Sequence, residues 1–407
     1  MKILIIGQVS QATGLSRITR IIAEELSEIF EVHILGFDTD EKSKETIKTS
    51  RFILHHNTSP IDIFAEESLQ SLVNDLKPEA ILIYHDPWII PRFTKSLFKS
   101  NHKAILVGYT PLDGNILQID IIRQLTCLDA LVVFNEFGYD AVRSAAQKAG
   151  VSQNKPFHNI AVIPHPLSED KFYQLGGEAL PSSLRRLAAR KELFPDKPSI
   201  WKGFWVLNAN RNQPRKRIDI TLKGFAKFAE GKPDDVRLYL HMSTKNSFTE
   251  VEKMVRELGL KKRIIYTAEG KQHPEVPCEH LNLIYNACDV GVNTSMGEGW
   301  GLVSFEHAAT GAPQVVPDHS ACANIWKEAA ELMPITRKTC GYTMLEGAEV
   351  SPEALSKSLE RLYADKLHYE HLQRQGLLVT QNKAYHRDEV AIQWKDLFLK
   401  LTSGVYA

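Results

Sequence analysis

Short apolar runs alternate with amphipathic segments along most of the chain. In the first half, runs rich in Ile, Leu and Val have the length and composition of buried strands. The strands predicted there cover residues 2–6, 31–37, 80–84, 104–108, 130–134 and 160–163. Segments with helical spacing of apolar residues separate them, beginning with residues 15–30. Alternation of strand and helix predicts a parallel sheet with helices on both faces.

The same alternation returns in the second half after an interruption. Residues 167–200 are rich in charge, Pro and Gly and are predicted to be a connection with a short helix. The strands predicted beyond it cover residues 204–207, 236–241, 264–267, 290–293 and 314–316, and helical patterns follow at 352–380 and 389–401. A chain of 407 residues exceeds one ordinary core, so two sheet domains are expected.

We place the first domain at residues 1–166, the connection at 167–200, the second domain at 201–385 and a final helix at 386–407. Acidic and basic residues balance at 49 each, so no net field directs the protein toward nucleic acid. Five cysteines without zinc-type spacing, and a strand in place of a secretory segment, predict a cytoplasmic protein. No apolar stretch approaches the roughly 18 residues of a membrane span, which leaves only peripheral membrane contact open.

A glycine-rich run with two glutamates, residues 297–306, carries the strongest chemical signal. The apolar residues after its glycines predict a helix that ends at Gly311. The N-terminus of such a helix attracts phosphate, because its N–H groups are unsatisfied and its dipole is positive there. Glu306, about one turn further along, is placed to accept hydrogen bonds from hydroxyls. The run therefore predicts a ligand in which a phosphate is joined to polyols.

A second signal is a polar loop with four cations after the strand predicted at 204–207. The loop covers residues 208–217 and contains Arg211, Arg215, Lys216 and Arg217. A guanidinium and an ammonium beside a departing diphosphate stabilise the transition state more than the ground state. A basic loop alone is usually a solvated surface, but here the glycine-rich run follows at a distance expected within one nucleotide-binding domain.

Together the two runs resemble the E-x7-E motif and the Arg and Lys pair of the retaining glycosyltransferases of family 4. The resemblance implies the GT-B fold: two Rossmann-like parallel-sheet α/β domains facing a central cleft, with the C-terminal helix crossing back to the first domain. It implies that Glu298 contacts the donor sugar and Glu306 the ribose. Arg211 and Lys216 would hold the donor phosphates, so Arg211, Lys216 and Glu298 are the candidate catalytic residues. Arg215 and Arg217 are predicted to be solvated or structural.

The resemblance also implies further donor contacts and a donor. Its candidate donor-binding residues, besides Glu306, are Gly14, Asn210, Gly299, Trp300, Gly301 and Leu302. The base is expected near the loop after residues 264–267 and near residues 285–289. The combination of Asn208, Asn210 and Asn212 with Arg215 and Lys216 looks most like members that use GDP-mannose, although UDP-sugars are common donors in the wider family.

Two strand ends in the first domain supply candidates for sugar or acceptor contacts. They are His85, after the strand at 80–84, and Tyr109 and Asp113, after the strand at 104–108. Family members often place a histidine at the second of these ends, and this chain has none there. For His85, a histidine that caps a strand end is an equally good interpretation.

Two other classes of site are disfavoured. The loop at residues 7–17 has two glycines and lacks the G-x-G-x-x-G spacing of a dinucleotide fingerprint, which argues against a nicotinamide enzyme. Asp38 and Asp40 imitate a metal-binding D-x-D, but an Asp-rich turn needs no metal. We therefore expect no metal and no bound cofactor, with the nucleotide-sugar as co-substrate.

The predicted function is transfer of a sugar from a nucleotide diphosphate donor to a hydroxyl acceptor by a soluble, metal-independent, retaining glycosyltransferase. The acceptor could be a carbohydrate, a lipid-linked sugar or another hydroxyl compound. Three alternatives of the same architecture stay open: a glycan phosphorylase with a pyridoxal phosphate lysine, a sugar-nucleotide epimerase, and a non-catalytic binding subunit.

Overall fold

The computed structural model describes residues 1–9, 13–38, 47–49, 51–57, 61–100, 102–168, 170–177, 179–245, 248–270, 272–340 and 344–403. The chain divides into two compact units. The first unit contains residues 1–166 together with 383–407, and the second contains residues 167–382. Each unit has a parallel sheet with helices packed on it, as the alternating pattern predicts.

Within the described residues, the sheet of the first unit has eight strands in the order β3-β4-β2-β1-β5-β6-β7-β8. All pairings are parallel except that of the edge strand β3 with β4. The strands are β1 Lys2–Gly7, β2 Glu31–Gly36, β3 Ile47–Lys48, β4 Ile53–His56, β5 Ala80–Tyr84, β6 Ile105–Tyr109, β7 Ala130–Val133 and β8 Ile160–Val162. The prediction missed β3, which has two residues, and β4, in which only two apolar residues precede two histidines.

Helices cover this sheet. They are α1 Gly14–Leu26, α2 Glu66–Leu76, α3 Ile90–Leu97, α4 Asp120–Gln124, α5 Glu136–Lys148 and α6 Lys155–His158. Helix α1 begins where the Thr13 hydroxyl accepts the N–H of Ser16 at 2.9 Å, which is a typical N-cap. Its buried face includes Ile18, Ile22 and Leu26 at helical spacing, so α1 packs against the sheet and places Gly14 at its first turn.

The second unit has a six-stranded parallel sheet in the order β11-β10-β9-β12-β13-β14, and a separate hairpin of β15 and β16, again counting described residues. The strands are β9 Trp205–Asn208, β10 Arg237–Leu240, β11 Ile264–Tyr266, β12 Val290–Val292, β13 Gln314–Pro317, β14 Glu331–Met333, β15 Arg337–Cys340 and β16 Glu346–Glu349. The last three were not predicted. Neither strand of the hairpin has an apolar alternation to reveal it, because β15 is polar and largely exposed and β16 reads Glu-Gly-Ala-Glu.

The helices of the second unit include one in the predicted connection. They are α7 Ser182–Leu193, α8 Ile218–Ala229, α9 Val251–Glu257, α10 Cys278–Ala287, α11 Leu302–Ala309, α12 Ser320–Trp326, α13 Pro352–Ala364 and α14 Lys366–Thr380. The helical pattern at 352–380 is two helices, because Asp365 is extended and its side chain accepts the N–H of His368 at 3.0 Å. Gly224 lets α8 approach α13 closely, since a Cβ there would lie 2.7 Å from Leu355.

The final helix α15, Arg387–Thr402, belongs to the first unit. Its Trp394 is buried, with the ring centroid 4.9 Å from that of Tyr109. Arg387 bonds the carboxylates of Glu24 and Glu25 on α1. The chain therefore returns to its first unit, as the resemblance implies. None of the described helices has the length and hydropathy required to cross a bilayer.

Candidate functional site

The two sequence motifs follow the neighbouring strands β9 and β12, at the point where the strand order of the second sheet reverses. From β9 the chain adds β10 and β11 on one side, and then β12 and β13 on the other. Ligands of doubly wound sheets bind outside the carboxyl ends of the strands at such a switch point. The loop after β9 carries the cations and the loop after β12 carries Glu298, so the fold brings the two motifs together.

Glu298 is the centre of this arrangement. Its Oε1 lies 2.5 Å from Lys216 Nζ and accepts hydrogen bonds from Asn293 Nδ2 at 3.0 Å and Ser295 Oγ at 2.8 Å. Its Oε2 lies 3.3 Å from Arg215 Nη1. Burial alone would raise the pKa of this carboxyl, but Lys216 and Arg215 outweigh that effect and lower the pKa to about 2. Glu298 is therefore an ionised carboxylate in a buried position.

A chain of buried hydroxyls holds the cationic loop in place. Asn208 Nδ2 donates to Thr221 Oγ1 at 2.8 Å, and the hydroxyls of Thr221 and Thr294 are 2.8 Å apart. Thr294 Oγ1 in turn donates to the carbonyl oxygens of Lys216 and Arg217, each at 3.0 Å. The backbone beside Lys216 is thus tied to β9, α8 and the end of β12.

Arg217 forms the turn that ends the cationic loop and begins α8. Its φ of 47° lies in the left-handed region, which is unfavourable for a residue with a side chain. Its guanidinium makes two bonds to Asp219, at 2.9 and 3.0 Å, and lies 2.6 Å from Glu349. These bonds hold the strained residue, so Arg217 has the structural role that the sequence predicts as one of two options.

The other two arginines of the loop lie in different surroundings. Arg211 is half-buried, and its electrostatic neighbours include Glu275 and His273. Burial lowers its pKa, and the charge of Glu275 opposes that effect. Arg215, predicted to be solvated or structural, contacts Glu298 directly. Its position next to Lys216 was the one sequence signal for this contact. The sequence alone does not decide whether the Arg215 side chain points toward Glu298 or toward solvent.

The glycine-rich loop leads directly into helix α11. Gly301 has a φ of 89° and precedes the helix, so the position favours glycine. Trp300 is buried with its ring centroid 5.2 Å from that of Phe305, while Gly299 precedes it and Leu302 is the first helical residue. The Glu298 N–H donates to Ser320 Oγ at 3.0 Å. The loop therefore orients the first turn of α11, whose N–H groups lack partners within the helix.

Glu306 lies inside α11 and is buried. The hydroxyl of Tyr285 on α10 donates to Glu306 Oε2 at 3.2 Å. The ring of Phe172 packs on Tyr285 with 5.6 Å between centroids. Sequence reasoning placed Tyr285 only near the base, whereas the structure connects it to Glu306. Asn210 is also buried, and its N–H donates to Asn208 Oδ1 at 2.9 Å.

The remaining candidates lie in the first unit. Gly14 is the first residue of α1; residues 10–12 of the preceding loop lie outside the described part of the chain. His85 follows β5, accepts the N–H of Asp86 at 2.7 Å and packs against Phe37. Burial lowers the pKa of His85 to about 4. These contacts agree with a histidine that caps a strand end, and they do not test a sugar contact.

Tyr109 is fully buried and belongs to the core of the first unit. Its hydroxyl donates to the carbonyl oxygen of Ile163 at 3.2 Å and lies 2.8 Å from His165 Nδ1. Its ring packs against Tyr84 and Trp394. Asp113, in contrast, is half-buried in the loop after β6.

The Asp-rich turn has a structural bond at its first residue. Asp38 Oδ1 accepts the N–H of Val9 at 2.8 Å, which ties the loops after β1 and β2 together. Asp40 lies outside the described residues. Within the described part of the chain, no group of three or more His, Cys, Asp or Glu side chains is arranged to hold a metal ion.

Comparison with known proteins gives a family match for the second unit. Residues 204–365 match the family model described as glycosyl transferases group 1. The mannosylfructose-phosphate synthase of Agrobacterium fabrum is 27% identical over 176 residues, which cover 41% of this chain and 37% of that relative. The chain thus matches well under half of that protein's length.

Solved structures match nearly the whole chain at low identity. The sucrose-phosphate synthase of Thermosynechococcus elongatus superposes with a TM-score of 0.77 at 17% identity, covering 99% of this chain and 100% of that one. The UDP-forming trehalose-phosphate synthase of Burkholderia vietnamiensis gives a TM-score of 0.69 at 12% identity, covering 99% of this chain and 98% of that one. The Anabaena protein HepE, solved with UDP and glucose, gives a TM-score of 0.67 at 15% identity, covering 99% of this chain and 100% of that one.

These likenesses confirm the predicted fold class. Both parallel-sheet units and the returning C-terminal helix belong to the GT-B fold of these glycosyltransferases. The match of residues 204–365 includes the loop after β9, the glycine-rich loop and α11. The chain therefore has the GT-B fold, and residues 204–365 of its second unit match the glycosyl transferases group 1 model.

Proposed function

We propose that this protein transfers a sugar from a nucleoside diphosphate donor to a hydroxyl acceptor, with retention of configuration. The observation that carries the proposal is the contact of Lys216 with the buried carboxylate of Glu298, at 2.5 Å, at the switch point of the second sheet. A fixed cation and a fixed carboxylate beside the first turn of a helix suit a diphosphate joined to a polyol.

In the proposed reaction, Lys216 and Arg211 stabilise the negative charge that develops on the departing diphosphate. The acceptor hydroxyl approaches on the face that the diphosphate leaves, and a phosphate oxygen takes its proton. Glu298 accepts hydrogen bonds from the donor sugar, and Glu306, oriented by Tyr285, accepts them from the ribose. Neither a metal ion nor a bound cofactor is required, because the cations and the helix N-terminus neutralise the charge.

The donor is one of two candidates. The predicted donor is GDP-mannose, and the name of the Agrobacterium relative contains a mannosyl group. Of the three structural neighbours named above, two are instead described with UDP, one of them together with glucose. We therefore propose that GDP-mannose and UDP-glucose be compared directly. Because three relatives are named as synthases of phosphorylated disaccharides, we propose a hexose phosphate as the acceptor class.

The decisive experiment combines binding and turnover. Thermal-shift measurements with UDP, GDP and ADP should show stabilisation by one of them. A ligand whose concentration exceeds its Kd raises the temperature at which half of the protein is unfolded. The preferred nucleotide-sugar is then incubated with glucose 6-phosphate or fructose 6-phosphate, and the disaccharide product is measured. Formation of an isomer from the donor alone would indicate an epimerase, and absence of binding to every nucleotide would refute the proposal.

Lys216→Ala should lower kcat by about a hundredfold or more, if the ammonium supplies roughly 3 kcal/mol of transition-state stabilisation. Lys227→Ala is a matched control, because Lys227 is an exposed lysine on α8 that pairs with Glu353 at 3.1 Å. It should keep the kcat of the unmodified protein. An unchanged kcat in Lys216→Ala would remove Lys216 from the mechanism.

A further inference from the structure

Arg215 is a cation of this site that the predicted pair of Arg211 and Lys216 leaves out. Its Nη1 lies 3.3 Å from Glu298 Oε2 and also bonds the carbonyl oxygen of Gly297. Its own carbonyl oxygen accepts the N–H of Met296 at 2.8 Å. Both the side chain and the backbone of Arg215 therefore join the cationic loop to the glycine-rich loop.

The two oxygens of Glu298 have different partners. Lys216, Asn293 and Ser295 contact Oε1, whereas Arg215 contacts Oε2. The charged groups that face this carboxylate are Lys216 and Arg215, and the neutral donors come from the loop after β12. The Glu298 side chain is only 7% exposed, so the carboxylate needs a counter-charge to stay ionised.

Binding of the donor would weaken the pairing of Lys216 with Oε1 of Glu298. In the proposed reaction Lys216 serves the donor diphosphate, and its three N–H donors are then shared between phosphate oxygens and Glu298. The attraction of Lys216 for the carboxylate is weakened at that moment, since a nearby anion competes for the same charge. Arg215 contacts the other oxygen, Oε2, so its contact with Glu298 does not depend on the Lys216 ammonium.

We propose that Arg215 is a positioning residue that keeps the Glu298 carboxylate charged and oriented while Lys216 is engaged by the donor. This inference rests on the proposed function. It gives the adjacent cations separate tasks: Lys216 acts on the leaving group, and Arg215 acts through Glu298 on the sugar. Arg215 itself does not touch the reacting atoms in this scheme.

The test is the pH profile of kcat for Arg215→Met. Without Arg215, burial raises the pKa of Glu298, and the protonated form no longer accepts hydrogen bonds with both oxygens. Activity that requires the carboxylate is then lost at a higher pH as the solution is acidified. We expect the acid limb to move to higher pH by about one unit or more, because Arg215 is one of the two cations that hold the pKa of Glu298 below its usual range.

Two further variants make this result specific. Arg215→Lys restores a cation and should move the acid limb back toward that of the unmodified protein, even if Arg215→Met folds poorly. Arg337→Met removes an arginine of the same unit that pairs with Glu349 at 2.9 Å and has a 67% exposed side chain. It should leave the profile unchanged.

The outcomes separate this inference from the proposed function. If the unmodified protein binds and turns over a nucleotide-sugar, and the Arg215 variants lose the same factor of activity at every pH, Arg215 does not act through Glu298 and the inference is overturned. If the unmodified protein binds no nucleotide, the proposed function fails first. A shifted acid limb with normal nucleotide affinity at pH 8 supports the inference.

Discussion

Single residues in this site adopt backbone conformations that only some residue types tolerate. Gly301, between the glycine-rich loop and α11, has a φ of 89°. A Cβ at this position would meet Glu298 Cγ at 3.8 Å, which is an ordinary contact. Space is therefore not the constraint; the left-handed backbone is, because a side chain disfavours it.

Gly301→Ala should therefore lower the free energy of unfolding by about 1–2 kcal/mol. Gly376 provides the opposite case in the same unit. It lies inside α14 with a negative φ, and a Cβ there would have ordinary contacts at 3.8 Å, so Gly376→Ala should stabilise by about 0.5–1 kcal/mol. Urea unfolding of both variants checks the pair. Equal signs for the two changes would contradict this account.

Among the elements, α7 is part of the second unit, although the sequence predicted its stretch to be a connection. It lies in the stretch at 167–200, and three of its arginines are buried: Arg185, Arg186 and Arg190. Arg190 donates to the carbonyl oxygen of Ala287 at 2.8 Å, and Arg185 to that of Thr310 at 3.0 Å. These carbonyls lie at the C-terminal ends of α10 and α11, where helices lack internal partners. Helix α7 therefore fixes the two helices that carry Tyr285 and Glu306.

Arg190→Met tests this role. Arg190 also lies 2.5 Å from Asp289, so its loss removes one of the two arginines that pair with this half-buried carboxylate. It also removes the donor to the carbonyl oxygens of Ala287, Trp201 and Gly203. We expect a loss of about 3 kcal/mol or more in unfolding free energy. Lys191→Met, on the exposed side of the same helix, should change it by less than about 0.5 kcal/mol. Similar unfolding midpoints for both variants would show that α7 is only a connection.

At the scale of the whole molecule, the chain begins and ends in the same unit. Helix α15 buries Trp394 and Phe398, and Phe398 packs edge-on against Phe30 after α1. Residues 383–407 thus complete the core of a unit whose other residues are 1–166. The stability of the first unit therefore depends on a segment that follows the second unit in the sequence.

Trp394→Ala should destabilise the first unit by about 3–5 kcal/mol, because it leaves a cavity in a packed core. Hydrogen exchange followed by mass spectrometry should show faster exchange in residues 1–166 and little change in 167–382. Ile392→Ala is the matched control, since Ile392 lies on the same helix and is 50% exposed. Faster exchange confined to the second unit would contradict the assignment of α15.

The sequence by itself determined the alternation of strand and helix, the two sheets and the glycine-rich loop before α11. These features follow from local periodicity and from residue types with few allowed conformations. The return of the last helix was expected only from the family resemblance. The contacts of Glu298 with Lys216 and Arg215, the role of α7 and the burial of Tyr109 were decided only by the tertiary structure. Each depends on residues far apart in the chain, and adjacent cations or tyrosines look alike until packing places one beside a buried carboxylate and another inside a core.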